Sequence, residues 1–301
     1  MPEVIEVRKY SDFLNKKMKN KYIEKINILQ GRYKTHGPFQ LYNEIIKELP
    51  LKVIEIKTKG KFLYFLLENG YYIFSTLGLR GGWAFRSNLK DRFIFPTLID
   101  NLGNYDIKKY KKNAKNHLNI EFVIESGSIY FFDTLSFGTM KIVDNIEELN
   151  KKLKSLAPDI MDLETTFEIF KNQIIKKVNL EKPIGNVIMN QKVISGIGNY
   201  LRADILWLSR ISPFRLVKDI NDKELKLIYK NARLLTWGDY SYTKAIKFKI
   251  IETNDKLPIH YNRNFFVYDQ KKDIFGNEVT KEELFEGSQK RTIYWVKNLQ
   301  K

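Results

Sequence analysis

The chain has 301 residues, 43% of them hydrophobic, which is enough for two domains with sizeable cores. Lysine and arginine total 52 against 35 acidic residues, and this net charge of +17, spread along the chain, indicates a basic surface for a polyanion such as nucleic acid. There is no cysteine, which excludes disulfides, thiol nucleophiles and cysteine-ligated zinc.

The other composition signals point away from metal and membrane roles. The three histidines, His36, His117 and His260, are far apart in sequence, and no pair has the spacing of metal ligands. No apolar run approaches membrane-spanning length, and no signal-peptide pattern is present. We therefore expect a soluble protein that works inside the cell and is not secreted.

The N-terminal half has the pattern of one helix followed by antiparallel strands. Apolar residues near helical spacing predict an amphipathic helix from residue 3 to about residue 20. Asn69-Gly70, between two β-rich segments, is a strong hairpin signal. We predict an antiparallel sandwich or barrel for residues 1–143. Its predicted strands are 53–56, 62–67, 71–76, 121–124, 129–133 and 139–143.

After residue 143 the pattern becomes helical. Residues 144–158 are predicted to form a hinge linker that includes a polar helical segment, and Pro158-Asp159 is expected to start another helix. The second domain, residues 159–301, has helical periodicity and returns to aromatic, strand-like segments from about residue 247. The chain as a whole is therefore predicted to be an α+β protein.

The first chemically informative motif is the start of the chain. Removal of the initiator methionine before Pro2 would leave a free secondary amine, with Glu3 beside it and Glu6 nearby. Such an amine is a nucleophile suited to Schiff-base chemistry at the sugar C1′ of a damaged nucleotide, and an adjacent carboxylic acid can transfer protons. The alternative is an ordinary helix start, with proline and acidic residues in the first turn.

Two basic residues are candidates for phosphate contacts. Lys61 follows Gly60 at the predicted start of a strand, where it could reach a phosphate beside the sugar. Arg291 is predicted at a turn before an aromatic strand, and arginine is suited to bidentate phosphate contacts. The alternatives are an exposed lysine at a strand start and an arginine that faces solvent.

Residues 191–203 contain a glycine-rich helix connection. We predict that one helix ends near Ile194, that two glycines make tight turns, and that Asn199 caps the next helix. Such a connection directs backbone N–H groups and a helix dipole at an anion. The alternative is a glycine-rich connection without a binding role.

Together, the four motifs resemble the formamidopyrimidine-DNA glycosylase and endonuclease VIII family of bifunctional DNA repair enzymes, in order and in approximate spacing over essentially the whole chain. The resemblance implies an N-terminal β-sandwich with a leading helix, and a C-terminal helical domain with a helix–two-turn–helix motif and a β-hairpin finger. It implies catalytic roles for Pro2, Glu3 and Lys61 on damaged double-stranded DNA, with single-stranded DNA left open. The DNA-binding residues it implies are Glu6, Lys192, Asn199 and Arg291.

The finger departs from most of the family, which builds it on four zinc-ligating cysteines. The corresponding positions fall near Phe275, Glu278, Trp295 and Asn298, and none is a thiol. We expect packing to hold the finger, with contributions from Trp295 and Phe275. This is similar to the zincless endonuclease VIII-like branch known from animals, plants and giant viruses.

The side chains that fill the gap left by a flipped base also differ from the bacterial pattern. Residues 76–79 resemble the segment that carries the first of them, so Leu79 is the candidate wedge. Phe137 is retained in a second segment, whereas Leu135 and Ser136 stand where bacterial members have arginines. We therefore expect a weaker arginine readout of the opposite base.

The resemblance implies removal of oxidised pyrimidines and guanine oxidation products, followed by strand cleavage through β,δ-elimination without a metal or organic cofactor. It also implies a monomer that works in the nucleus or a cytoplasmic DNA compartment. One alternative is a catalytically silent protein of the same fold that binds DNA structures. Another is a basic RNA- or ribosome-associated protein, because helix–two-turn–helix elements also occur in ribosomal proteins, although the N-terminal Pro2-Glu3 pair would then have no purpose. Determinants of lesion preference are expected in the loops of residues 236–265.

Overall fold

The computed structural model describes residues 2–88, 90–96, 117–250, 265–286 and 289–301. The chain divides into two compact units. The first contains Pro2 and Glu6–Lys154, and the second contains Glu3–Ile5 and Ser155–Lys301. The division therefore falls next to Ser155, and the first residues of the chain are shared between the two units.

Helix α1 spans Val4–Met18, which confirms the helix predicted at the start of the chain. In the first unit it buries side chains three or four residues apart, because this spacing places them on one face of a helix. Glu6 lies in its first turn and Lys17 in its last turn, where each charge suits the helix dipole. The buried residues are Val7, Tyr10, Leu14 and Met18.

The first unit is built on β-strands in antiparallel order. Their bounds are β1 Tyr22–Ile28, β2 Leu51–Lys59, β3 Phe62–Leu67, β4 Tyr72–Thr76, β5 Gly81–Arg86, β6 Leu118–Ile124, β7 Gly127–Asp133 and β8 Thr139–Val143. The six predicted strand segments are confirmed. Strand β1 was missed because its lysine and glutamate obscure the alternation, and β5 because it begins with two glycines.

Among the described residues these strands form one eight-stranded sheet in the order β5–β7–β6–β1–β2–β3–β4–β8. Its two halves meet at the short β1–β2 pairing around Tyr22 and Lys52. They also face each other, because the Phe65 ring of β3 lies 5.3 Å from Trp83 of β5 and 6.0 Å from Phe122 of β6. The expected antiparallel sandwich is therefore confirmed, with an aromatic centre that buries much apolar surface.

The other regular elements of the described chain are helices and one hairpin. The helices are α2 Arg32–Thr35, α3 Tyr42–Glu48, α4 Ile146–Ser155, α5 Phe167–Ile174, α6 Ile184–Val187, α7 Asn199–Ser209 and α8 Asp222–Lys247, and the hairpin strands are β9 Thr280–Glu286 and β10 Gln289–Trp295. Residues 271–286 and 289–295 are termed the finger. No helix among the described residues is long and apolar enough to cross a membrane.

Pro158-Asp159 does not start a helix, contrary to the prediction. Helix α5 begins only at Phe167, with the Thr166 side chain as its cap. The buried Asp159 carboxylate accepts a hydrogen bond from the backbone N–H of Met161 at 2.8 Å, and Asp159 pairs with Ser195 in a β-bridge. A short acidic side chain that bonds its own backbone competes with helix formation, and here the turn is favoured.

Candidate nucleic-acid interface

Glu3 lies at the N-terminus of helix α7, within the second unit. Its fully buried carboxylate accepts hydrogen bonds from the backbone N–H groups of Gly198 at 2.6 Å, Tyr200 at 3.0 Å and Leu201 at 3.4 Å. A helix leaves these first N–H groups unpaired, and its dipole stabilises an anion there. The anion site predicted in residues 191–203 therefore binds a carboxylate of the chain itself.

Asn199 does not cap helix α7, and that prediction was wrong. The cap position is Gly198, which makes no side-chain cap hydrogen bond, and Asn199 is the first helical residue. Because Glu3 pairs the free N–H groups, the Asn199 side chain is available for other contacts. Its oxygen accepts a hydrogen bond from Arg202, and the side chain also hydrogen-bonds to Tyr268.

The connection between α6 and α7 also differs from its prediction. Helix α6 ends at Val187 and not near Ile194, whose N–H instead closes a turn onto the Asn190 carbonyl oxygen at 3.1 Å. Gly196 has φ 108°, and a Cβ there would lie 2.9 Å from the Cβ of Val4. Glycine therefore permits the close approach in which the Val4 N–H donates to the Gly196 oxygen at 3.1 Å.

Arg202 links Asn199 to the finger. Its fully buried guanidinium donates to the Asn199 side-chain oxygen, to the Thr292 carbonyl oxygen at 2.9 Å and to the Gly185 carbonyl oxygen at 3.4 Å. Thr292 is the chain neighbour of Arg291, so one cation links Asn199 to the strand that carries Arg291. Sequence reasoning missed Arg202, although a charge three residues after Asn199 in a largely apolar helix was a usable signal.

Arg291 is exposed on strand β10, opposite Leu284 of β9, and is the third residue of its strand. The prediction that it lies at the turn was therefore slightly wrong, and residues 287–288 lie outside the described chain. The hairpin is fixed beside α6, because the Asn186 side chain donates to the Phe285 carbonyl oxygen at 2.6 Å. Because β9 pairs with β10, this contact also anchors the strand that carries Arg291.

Asp204 is a second buried charge that sequence reasoning missed. Its carboxylate accepts hydrogen bonds from the backbone N–H groups of Phe266 at 3.2 Å, Val267 at 3.0 Å and Tyr268 at 3.3 Å. Burial raises the pKa of the Asp204 carboxyl to about 7, against the opposing effect of these hydrogen bonds. Asp204 thus anchors the segment whose Tyr268 ring contacts Tyr294 of the finger at 5.1 Å.

The four positions that carry zinc ligands in most of the family do not fit a zinc ion here. The Phe275 ring stacks on Trp207 at 5.9 Å, and the Trp295 ring packs edge-on against Phe214 at 5.2 Å. The other two positions hold a glutamate and an asparagine, whereas structural zinc takes four thiolate or imidazole ligands. Within the described ranges no group of three or more histidine, cysteine or acidic residues could hold a metal.

The first unit holds the remaining catalytic candidates near its chain start and in a turn. Lys61 is half-buried and lies with Gly60 in the β2–β3 turn, one residue before the strand that begins at Phe62. Pro2 is half-buried just before α1, and Glu6 is half-buried in its first turn. In the second unit, Lys192 is exposed in the α6–α7 connection.

Two adjoining turns of the first unit expose apolar side chains. Leu79 in the β4–β5 turn is 41% exposed, and Phe137 in the β7–β8 turn is 59% exposed. The turns touch, because a Cβ on Gly78 would lie 2.8 Å from the backbone carbon of Phe137. The buried Asp133 carboxylate shapes the second turn by accepting the N–H of Leu135 at 3.0 Å. Clustered exposed apolar side chains are typical of a binding surface.

Comparisons with known proteins agree with this architecture. The formamidopyrimidine-DNA glycosylase N-terminal domain matches residues 1–140, its H2TH domain residues 156–236, and its C-terminal domain residues 258–301. The formamidopyrimidine-DNA glycosylase of Mycoplasma genitalium is 30% identical over 234 residues, which cover 77% of this chain and 72% of the relative. That of Mycoplasma pneumoniae is 28% identical over 77% of this chain and 75% of the relative.

Solved structures show the same fold. The formamidopyrimidine-DNA glycosylase of Lactococcus lactis, bound to DNA that contains an abasic site, has a TM-score of 0.73 and 17% identity, with both chains covered completely. A MutM complex with DNA that contains carbocyclic 8-oxoguanine has a TM-score of 0.72 and 19% identity over the same coverage.

The fold and the matched domains define a two-domain protein of the helix–two-turn–helix repair class. The chain belongs to the formamidopyrimidine-DNA glycosylase family, whose members are DNA glycosylases of base excision repair. The resemblance drawn from the four sequence motifs is thereby confirmed for the family, and the zincless endonuclease VIII-like branch stays a prediction.

Proposed function

We propose that the chain is a bifunctional DNA glycosylase and abasic-site lyase that removes oxidised pyrimidines and guanine oxidation products from DNA. The position of Glu3 carries the proposal. This fully buried carboxylate is the chain neighbour of Pro2 and is anchored by three backbone N–H groups at the start of α7. A residue that served only to begin helix α1 would need no anchor in the second unit.

The proposed chemistry begins at Pro2 after removal of the initiator methionine. The proline nitrogen attacks C1′ of the damaged nucleotide, and the bond from C1′ to the base breaks with its electron pair leaving on the base. The proton released from the proline nitrogen neutralises the departing base. Glu3 supplies the proton that opens the sugar ring at its oxygen, and the product is an iminium ion on Pro2. Loss of a C2′ proton then expels the 3′ phosphate, and a second elimination expels the 5′ phosphate.

The proposed DNA contacts come from both units. Lys61 binds a phosphate beside the reacting sugar, and Arg291 and Asn199 bind phosphates around the lesion, with Glu6 and Lys192 as further DNA contacts. Arg202 occupies the Asn199 side-chain oxygen, so the amide NH₂ group is the part of Asn199 that can donate to a phosphate. Unlike a purely electrostatic contact, this one has a defined direction.

Leu79 and Phe137 are proposed to fill the space left by the flipped nucleotide. Flipping costs a few kcal/mol of lost stacking and pairing, and the cost is smallest for a poorly paired base. Two exposed apolar side chains on touching turns are suited to replace that stacking. No polar side chain is needed for this role, because the wedge contacts base faces.

We also propose that the chain belongs to the zincless endonuclease VIII-like branch. This proposal is supported by the lack of any cysteine and by the aromatic contacts of Phe275 and Trp295 at the former ligand positions. Such a finger would keep its shape without a bound metal.

Borohydride trapping tests the proposed function. Tag-free protein with a confirmed proline N-terminus is incubated with a duplex oligonucleotide that contains one abasic site. A covalent adduct is expected for the wild type and none when an N-terminal tag blocks the amine, because no free amine then remains to form the iminium ion. Pro2→Gly, which replaces the secondary amine by a primary one, should form much less adduct. Full trapping with the amine blocked would rule out Pro2 as the nucleophile.

The same assay separates the other functions. A wild-type protein that binds DNA tightly but forms no adduct would be a catalytically silent DNA-structure binder. Stronger binding to RNA than to DNA, again without adduct, would indicate the RNA-associated alternative. Once an adduct is established, a panel of oxidised bases in duplex and single-stranded DNA determines the lesion preference.

A further inference from the structure

The turn at the base of the finger closes around one buried carboxylate. Asp273 is 6% exposed, and its Oδ1 accepts hydrogen bonds from the backbone N–H groups of Phe275 and Asn277, both at 2.9 Å. The Asn277 side chain donates to Oδ1 at 3.2 Å and to Oδ2 at 3.0 Å, and the Trp207 indole N–H donates to Oδ2 at 3.1 Å. Together these hydrogen bonds satisfy both oxygens of an ionised carboxylate.

Phe275 in this turn and Glu278 just after it are the first pair of positions that resemble the zinc-ligand positions of most of the family. A structural zinc ion gathers anionic ligands from separate chain segments around one cation. Here the charges are reversed, because one anion lies at the centre and N–H donors surround it. Since charge-assisted hydrogen bonds are stronger than neutral ones, a carboxylate can organise a short turn in this way.

We propose that Asp273 is a positioning residue that takes over the organising role of the metal in this finger. Its carboxylate gathers the 273–277 turn and fastens it to helix α7 through Trp207. The Arg210 guanidinium covers the site, at 5.0 Å from the Trp207 ring and 5.7 Å from the Phe275 ring. The inference rests on the proposed function only for the DNA contact assigned to the finger.

Backbone pairing connects the Asp273 turn to the DNA-contacting strand. The Val279 N–H donates to the Lys271 carbonyl oxygen at 3.0 Å, which closes the turn. The next residue, Thr280, starts β9 and pairs with Trp295 of β10, the strand that carries Arg291. The Asp273 turn therefore sets where the hairpin begins, and a loosened turn would spread the orientations of Arg291.

The charge of this carboxylate is favoured by its surroundings. Burial raises the pKa of Asp273, but the hydrogen bonds from Asn277, Trp207 and Phe275 outweigh it, and the pKa lies below its ordinary value. Because the pKa of Asp273 is lower in the folded protein than in the unfolded chain, its ionisation stabilises the fold at pH values above the unfolded pKa of about 3.9. This stabilisation is lost as the pH falls through the folded-state pKa. The turn is therefore held throughout the neutral range.

The test compares Asp273→Asn with Asp219→Asn, which removes an exposed carboxylate from the same unit. In the full chain, hydrogen exchange over residues 271–279 is expected to accelerate about tenfold in Asp273→Asn. The NH₂ group of the new amide would face the N–H donors that now surround the carboxylate. On duplex DNA with a pre-formed abasic site, KM should rise about threefold while kcat stays within about twofold. Asp219→Asn should match the wild type in both measurements.

A chelator supplies the second arm of the test. Wild-type cleavage is expected to be unchanged by prolonged chelation, and exchange over 271–279 should stay slow. Loss of activity that zinc ions restore would show a metal-held finger and overturn the proposal. An exchange rate in Asp273→Asn equal to that of the wild type would also overturn the proposal, because the carboxylate would then not stabilise the turn.

Asn277→Ala covers the case in which Asp273→Asn fails to fold. It removes two hydrogen bonds to Asp273 but keeps the carboxylate, so a smaller acceleration over the same residues is expected. Exchange at the wild-type rate would contradict the proposal. Failure of the proposed function is distinguishable. If protein with a blocked N-terminal amine still formed the borohydride adduct, the assigned nucleophile would be wrong, whereas the exchange result at the finger would stand.

Discussion

The two units hold their proposed DNA-contacting residues by different means. In the first unit, Lys61, Leu79 and Phe137 lie in turns, and the sandwich core is complete without them. In the second unit, buried ionisable side chains hold the segments that carry Asn199 and Arg291. Those side chains are Glu3, Arg202, Asp204 and Asp273. Turn residues can be replaced at little cost in stability, whereas removing a buried charge leaves its hydrogen-bond partners unsatisfied.

Glu3→Gln should have the largest effect, because Glu3 is both a proposed catalytic residue and a buried side chain with several hydrogen bonds. Base excision is expected to fall by a factor of about 10² to 10⁴, because an amide cannot transfer the proton. Cleavage of a pre-formed abasic site should fall less. Stability should also drop, since the amide NH₂ would face the N–H groups at the start of α7. Kinetics on both substrates measure the difference, and equal losses would contradict the acid role.

Arg202→Ala tests the buried side of the comparison. We expect a loss of about 3 kcal/mol in the free energy of unfolding, because the carbonyl oxygens of Thr292 and Gly185 lose their buried donor and a cavity remains. Affinity for lesion DNA should fall together with stability. Chemical denaturation and DNA titration measure the two effects. Lys192→Ala, at an exposed position, is the control and should unfold like the wild type.

Arg291→Ala should separate binding from stability within the second unit. Affinity for lesion DNA is expected to weaken by about 1–3 kcal/mol, the range for a charge-assisted contact. The free energy of unfolding should be unchanged, because the side chain is exposed. Lys290→Ala removes the neighbouring exposed charge and should weaken binding less. Unchanged affinity in Arg291→Ala would mean that the register of the finger has been misassigned.

Leu79→Ala and Phe137→Ala should also have little effect on stability, within about 0.5 kcal/mol, because both side chains are exposed. Excision of a damaged base from duplex DNA should nevertheless slow, since flipping loses its compensating contact. Cleavage of a pre-formed abasic site in single-stranded DNA is the control and should persist. A stability loss above about 1 kcal/mol in either variant would break the comparison between the units.

Local patterns predicted the elements that local chemistry controls. The Asn69-Gly70 hairpin has φ 59° and 76° at these two residues, which is the backbone that this dipeptide favours. Strands β3 and β8 match their predicted bounds, because alternation and β-branched or aromatic residues mark them. By contrast, Asp159 was expected to open a helix and instead shapes a turn, since its carboxylate bonds the adjacent backbone.

The sequence by itself determined the class of fold, the family and the exposed candidates for DNA contact, because these follow from short patterns and residue types. Only the tertiary structure decided which groups satisfy the start of α7. Glu3 lies 195 residues from Gly198 in the chain, and no local signal could compare it with Asn199 as the acceptor. Hydrogen bonds at a helix N-terminus are made by the acceptor that the fold brings within reach, and here a buried carboxylate is favoured over a neighbouring amide.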